Sequence, residues 1–269
     1  MYLILRKILR LLLGFMGLGL VKSTDLASLR KSEIEFGNLV NKLPFWITNA
    51  PKASDSGIAV VSLDDLRLIS KSENGQDLFA IMANSMKHEG LFLEIGAFDG
   101  ITFSNTYLLE KRFGWTGLLV ECIPTNFRQI VNHRECNSIL AAATPVDEDS
   151  VEVYEHPAPN LSRVKQHGNW SRLSGRFHSV PGISINTIAR NILKTRYIDF
   201  LSIDIEGSEL AVLQTVNYAE LKFGAICVEH NFLESGSDIV NLLTSNGYRR
   251  INEEYSGNDF WFIPKDQSW

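Results

Sequence analysis

Three cysteines in 269 residues, Cys122, Cys136 and Cys227, are few, far apart and odd in number, and none forms a CxxC pair. That excludes a disulfide framework and a structural zinc site and points to a reducing compartment. The chain also lacks a long Lys/Arg cluster and carries a net charge of −5, which removes nucleic acid as the main partner. No membrane-spanning segment is expected either. The N-terminal apolar run, residues 11–21, falls short of the roughly 20 residues that cross a bilayer. No A-x-A-like site follows it, so a cleaved signal peptide is the weaker reading. On a helical projection Arg6, Lys7 and Arg10 share one side, while Leu5, Ile8, Leu9, Leu12, Leu13 and Met16 share the other. Such a helix would lie on an anionic membrane surface or pack on the rest of the chain.

What the chain does have is apolar substance: 45% of it is hydrophobic, enough for a sizeable core. Three regions are expected: a basic N-terminal helix over 1–22, an extension over 23–87, and a main domain over 88–269. In the main domain apolar runs alternate with amphipathic ones. Residues 90–97, 116–121, 137–144, 199–205 and 224–230 read as buried strands, and residues 104–113, 125–136, 209–216 and 237–247 as helices. Strands that are apolar on both faces, separated by helices, predict an α/β fold with a mainly parallel sheet covered on both sides. Ligands bind beyond the carboxyl ends of the strands in that architecture.

Acidic residues gather at those ends: Glu94 and Asp99 around the first turn, Glu121 after the second strand, Asp204 and Glu206 after the fourth, and Glu229 with His230 after the fifth. A lone carboxylate there is as well explained by a solvated end or a helix cap, but four strand ends in series are not. The first turn, G-A-F-D-G, has Phe98 where a G-x-G-x-x-G dinucleotide turn needs its second glycine, so a pyrophosphate is poorly served. Carboxylates repel a phosphate and favour a cation. S-Adenosylmethionine, with its sulfonium and ammonium groups, suits such a turn, and Glu121 is placed to accept hydrogen bonds from a ribose diol.

The stretches FLEIGAFDGITFSNTYLLEKRFGWTGLLVECIPTNF (92–127), IDFLSIDIEGSELAVLQ (198–214) and GAICVEHN (224–231) resemble the FkbM-type S-adenosylmethionine-dependent methyltransferases over roughly residues 88–264. The resemblance implies a class I methyltransferase (Rossmann-like) fold: a seven-stranded, mainly parallel sheet flanked by helices, with the last strand (259–264) antiparallel. It also implies that Glu94, Gly96, Ala97, Asp99 and Gly100 frame the methionine part of the cofactor, that Glu121 takes the ribose, that Ala142 and Ala143 lie near adenine, and that Asp204 joins the cofactor site. Asn186 stands where that family often has Asp. The D-x-E and E-H layout is similar to metal-dependent sugar O-methyltransferases that act on macrolide and aminocoumarin antibiotics. By that likeness Asp204, Glu229 and His230 would hold magnesium or, given the imidazole, manganese, with Glu206 as general base. The other arrangement makes His230 the base.

Residues 154–182 hold Tyr154, His156, Arg163, His167, Trp170, Arg172, Arg176 and His178 among Pro and Gly, the composition of a lid that could stack on a sugar ring. Glu209 belongs to a first helical turn, where a carboxylate meets the helix dipole. The expectation is a cytoplasmic methyltransferase, associated with the inner face of a membrane through its N-terminal helix. Its acceptor would be a sugar hydroxyl on a polysaccharide, a lipid-linked glycan or a glycosylated metabolite. The alternatives are a noncatalytic binding module on the same fold, and a nucleotide-sugar oxidoreductase or epimerase, which the lack of a Y-x-x-x-K pair disfavours.

Overall fold

The computed structural model describes residues 66, 69–156, 162–164, 175–230, 236–251, 253 and 256–267. The chain divides into two compact units, 1–68 and 69–269. The amphipathic N-terminal segment, nearly all of the extension before residue 69, and His167, Trp170 and Arg172 of the expected lid lie outside the described residues. Among the described residues no helix is long and apolar enough to cross a membrane.

The second unit is built on a seven-stranded sheet in the order β3 (Asn137–Leu140), β2 (Thr116–Glu121), β1 (Leu91–Ile95), β8 (Tyr197–Ile203), β9 (Lys222–Glu229), β11 (Asp259–Pro264), β10 (Tyr248–Ile251). From β3 to β9 the pairs are parallel, and β11 runs antiparallel to both of its neighbours. The α/β expectation, with its antiparallel last strand, therefore holds. The helices are α1 (Gln76–Ala83), α2 (Tyr107–Phe113), α3 (Pro124–His133), α4 (Ile185–Thr187, continued by a π-helical turn over Ile188–Ile192), α5 (Glu209–Gln214) and α6 (Gly236–Ser245).

The central strands are buried on both faces, as their unbroken apolar runs require: Phe92, Leu93, Phe200, Leu201, Phe223 and Ile226 are all inaccessible. On one face α1 stacks Phe79 flat on Trp261, with ring centroids 4.9 Å apart, and meets Phe200 edge-on. On the other, Val212 and Leu213 of α5 join Ile239 and Leu243 of α6 over Ile203, Ile226 and Val228. Asp199, one step into the buried sheet, is matched there by Lys87 at 2.7 Å and by the Leu91 amide at 2.8 Å.

A second, four-stranded sheet has the order β4 (Ala142–Ala143), β7 (Arg176–Ile183), β5 (Glu148–Glu155), β6 (Arg163–Val164). The apolar run 137–144 is thus two strands. β3 closes the large sheet, and the chain crosses at Ala141, whose amide donates to the Glu121 carbonyl, into the small one. The ends of the expected lid are likewise strands. Tyr154 is buried in β5, and His178 of β7 pairs with Glu155 at 2.7 Å.

Candidate active site

The first turn forms because Gly96 adopts φ +86°, a torsion open to glycine at little cost. A Cβ on Gly96 would lie 1.8 Å from the Asp204 carbonyl oxygen, so the turns after β1 and β8 touch backbone to backbone. The Gly96 and Ala97 amides both donate to the Val120 carbonyl, and Phe98 takes a left-handed φ of +51°. The turn thereby rests against the ends of both flanking strands, β2 and β8.

Its two carboxylates do different things. Asp99 folds back, accepting the Ile101 and Thr102 amides at 2.8 and 2.6 Å and the Thr102 hydroxyl at 2.8 Å. Glu94 is buried and accepts from the Asn105 amide at 2.7 Å, from the Ser104 hydroxyl at 3.0 Å and, through a short bond, from the Thr106 hydroxyl. Burial pushes its carboxyl up, against the pull of Arg134 and those donors. Both carboxylates are thus engaged by the loop that follows them. Neither projects bare from the turn.

Glu121 closes β2 with one oxygen on the Phe98 amide, at 2.9 Å, and the other on the Ile123 amide, at 2.8 Å. Burial raises its carboxyl to about 7, although these amides and Asn126 lower it. It therefore stands beside the first turn. Ala142 and Ala143 are buried in β4 and pair with Gly182 and Ile183.

Strand β8 ends at Ile203, so Asp204 and Glu206 do not alternate along a strand as their spacing suggested. They sit on a turn in which Glu206 (φ +58°) and Gly207 (φ +108°) are left-handed. Glu209, buried in the first turn of α5, fastens that turn by accepting from the Ile205 amide at 2.9 Å and the Gly207 amide at 3.0 Å. The result brings carboxylate oxygens of Asp204, Glu206 and Glu229 to within 4.8 Å of one another. Burial and then the charge of Asp204 raise the Glu229 carboxyl strongly.

His230 does not join this group, contrary to the expected Asp204, Glu229, His230 set. Its ring stacks on that of Phe260 at 3.9 Å, and the Arg250 guanidinium lies 4.3 Å from the Phe260 ring. Burial and Arg250 lower its pKa. Spacing could not reveal this, because the residue after a strand end can turn to either face.

A carboxylate that the sequence reading passed over, Asp259, lies opposite Glu229 in the antiparallel β9–β11 pair. It is buried, held by Gln76 at 2.5 Å and Asn74 at 3.2 Å, and raised to about 7 by burial and by Asp204. The expected antiparallel last strand carried the signal, since its first residue must fall beside the carboxyl end of β9.

Residues 94–250 match the model of the methyltransferase FkbM domain, more than half of the chain. The chain belongs to the FkbM methyltransferase family. It is thus an S-adenosylmethionine-dependent methyltransferase, and the FkbM domain's matched span takes in every residue of the turns after β1, β2, β8 and β9 described above. No curated protein matches the chain in sequence. Solved structures similar to it include a methyltransferase FkbM from Methylobacillus flagellatus KT (9% identity, 85% of this chain and 60% of that one, TM-score 0.43). Others are the Aeropyrum pernix fibrillarin with natively bound S-adenosyl-L-methionine (14% identity, 71% and 75%, TM-score 0.39) and the precorrin-6y C5,15-methyltransferase from Geobacter metallireducens GS-15 (11% identity, 70% and 85%, TM-score 0.39). At TM-scores below 0.5 these likenesses add no argument, and FkbM membership rests on the domain match.

Proposed function

We propose that this FkbM methyltransferase transfers the methyl group of S-adenosylmethionine to a hydroxyl, with a sugar of a polysaccharide, lipid-linked glycan or glycosylated metabolite as acceptor. The convergence of Asp204, Glu206 and Glu229 within 4.8 Å beside the Gly96 turn carries the reading. A sulfonium leaves readily, so the chain's task is to align the acceptor and take up its proton. A sugar hydroxyl is a very weak acid, and a cluster of carboxylates is the means at hand.

In this proposal Glu121 receives the ribose diol, and the turn from Gly96 to Gly100 lies against the methionine part. Glu206 serves as the general base, from a left-handed turn whose strain fits a functional position. With His230 turned away, the cluster offers oxygen donors alone, which fit a magnesium ion better than the expected set with the imidazole did. Asp204 and Glu229 would hold that ion, leaving Glu206 beside it as the base, and bound there it would lower the pKa of the acceptor hydroxyl. A cytoplasmic site of action near membrane-bound acceptors is part of the same proposal, supported by the basic N-terminal sequence and the three free cysteines.

Calorimetric titration with S-adenosylmethionine, with EDTA and with added magnesium or manganese, tests it first. Micromolar binding of the methyl donor is expected, weakened about tenfold or more by Glu121→Ala through lost hydrogen bonds. Incubation of the loaded enzyme with sugar acceptors should then yield a methyl ether, lost in Glu206→Gln. Absence of donor binding under every condition would leave a noncatalytic module as the better account.

A further inference from the structure

Arg134 follows α3, yet its side chain is fully buried: its hydrogen bonds go to the end of the first turn, to the segment that follows and to the helix after it, and its Nη1 lies 3.8 Å from the Glu94 carboxylate. Nη1 donates to the Gly100 carbonyl and to the Ser104 hydroxyl, both at 3.0 Å. Nη2 donates to the Thr106 hydroxyl at 2.9 Å, and Nε to Glu110 at 2.8 Å. Phe92 and Tyr107 each place a ring 5.7 Å from the guanidinium carbon. A guanidinium can only donate, so the single protons of Ser104 and Thr106 are directed onward, and both reach Glu94 on β1. The loop is gripped between a cation from α3 and an anion from β1, with two hydroxyls as relays.

The grip reaches the turn itself. A Cβ on Gly100 would stand 3.0 Å from the Arg134 Cγ, and the neighbouring His133 ring nitrogen lies 2.8 Å from the Asp99 carbonyl oxygen. Glu110 completes the anchorage. Although burial works against it, hydrogen bonds from Cys136 and Lys111 and the charge of Arg134 bring its carboxyl down to about 2, so it stays charged opposite the guanidinium.

We infer that Arg134 is a positioning residue for methyl-donor binding: it holds residues 98–106 in the shape that S-adenosylmethionine requires without touching the donor. The inference rests on the reading of this turn as the donor site. A lysine in its place keeps the charge but loses the fork, and a general stabiliser would give a different pattern from a local clamp.

The full-length protein and its Arg134→Lys and Glu110→Gln variants, the second leaving Arg134 present but loosening its anchor, are compared by amide hydrogen exchange and by titration with S-adenosylmethionine and S-adenosylhomocysteine. Expected in Arg134→Lys are exchange at 98–106 faster by tenfold or more, unchanged protection of β8 and β9, and both affinities weakened at least tenfold. Glu110→Gln should show a smaller change of the same pattern. Wild-type protection and affinity in Arg134→Lys would overturn the inference. So would loss of protection spread evenly over the sheet in both variants, which marks Arg134 as an ordinary core residue. If the wild type binds neither ligand, the donor-site reading fails and the inference with it, while a local change in exchange would still show the clamp itself.

Discussion

At the scale of single residues, Gly96 is the position where the sequence leaves no choice. A side chain there would meet the Asp204 carbonyl at 1.8 Å, in a torsion of +86°. Alanine would cost about 1–2 kcal/mol for the left-handed backbone and about 1–3 kcal/mol for the overlap. Gly96→Ala is therefore expected to lower the urea midpoint measurably and to weaken S-adenosylmethionine binding further than stability alone explains, because the turns after β1 and β8 must part. Binding at wild-type strength in a destabilised protein would show that the contact only packs the fold. Other residues were less legible. The carboxylates at 94 and 99 look alike in sequence, and their partners, Ser104 to Thr106 for one and Ile101 with Thr102 for the other, are a matter of loop geometry that spacing does not encode. Arg134 gave no signal at all, since a buried arginine and a surface one are written the same way.

Among elements, β1, β2, β8 and β9 were readable because each is an apolar run bounded by polar turns, and burial on both faces leaves such a run little else to be, whereas the run 137–144, also read as one buried strand, is split between the partly buried edge strand β3 and β4 of the small sheet. The small sheet was not readable. β5 and β7 carry Glu148, Asp149, Glu152, Arg176 and His178, and a strand half-exposed on a two-layer edge has the composition of a loop. The turn between β8 and α5 lies between these cases. Its IEGSE sequence identified the helix start, but the burial of Glu209 and its reach back to Ile205 and Gly207 appear only in three dimensions. Glu209→Ala would leave those two amides without their acceptor, at a cost of about 1–3 kcal/mol for each group that stays dry. Because the same turn carries Asp204 and Glu206, turnover should fall tenfold or more while donor affinity changes little. Single-turnover rates set beside titrated affinities would separate the two, and an equal loss in both would mean that the turn also shapes the donor site.

At the scale of the molecule, charge is unevenly distributed among the described residues. Asp204, Glu206, Glu229 and Asp259 collect at the carboxyl ends of β8 and β9 and the start of β11, whereas Arg190, Lys194 and Arg196 line a cleft at the amino ends of the same parallel strands. Burial holds the carboxyls of Asp259, in that acidic group, and of Glu121 near 7, well above their unfolded values of about 4. A carboxyl whose folded pKa is raised binds its proton more tightly in the native state than in the unfolded chain. Its contribution is present in full below the unfolded value and is lost as pH rises through the folded one. Stability of the ligand-free protein should therefore decline between about pH 5 and pH 7, by something on the order of 2–3 kcal/mol per unit from the two protons of Glu121 and Asp259, with the raised carboxyls of Glu94 and Glu229 adding to the fall. Glu110, held near 2, works in the opposite sense but only below about pH 4.5, outside that window. Urea midpoints taken across the range measure the slope, and Asp259→Asn should flatten it by removing one of the two protons. Saturating S-adenosylmethionine adds a cation beside the same cluster and should restore more stability at pH 8 than at pH 6. A slope unchanged in Asp259→Asn would mean that the buried proton resides elsewhere in the cluster, with Glu229, whose carboxyl is also strongly raised, as the next substitution to make.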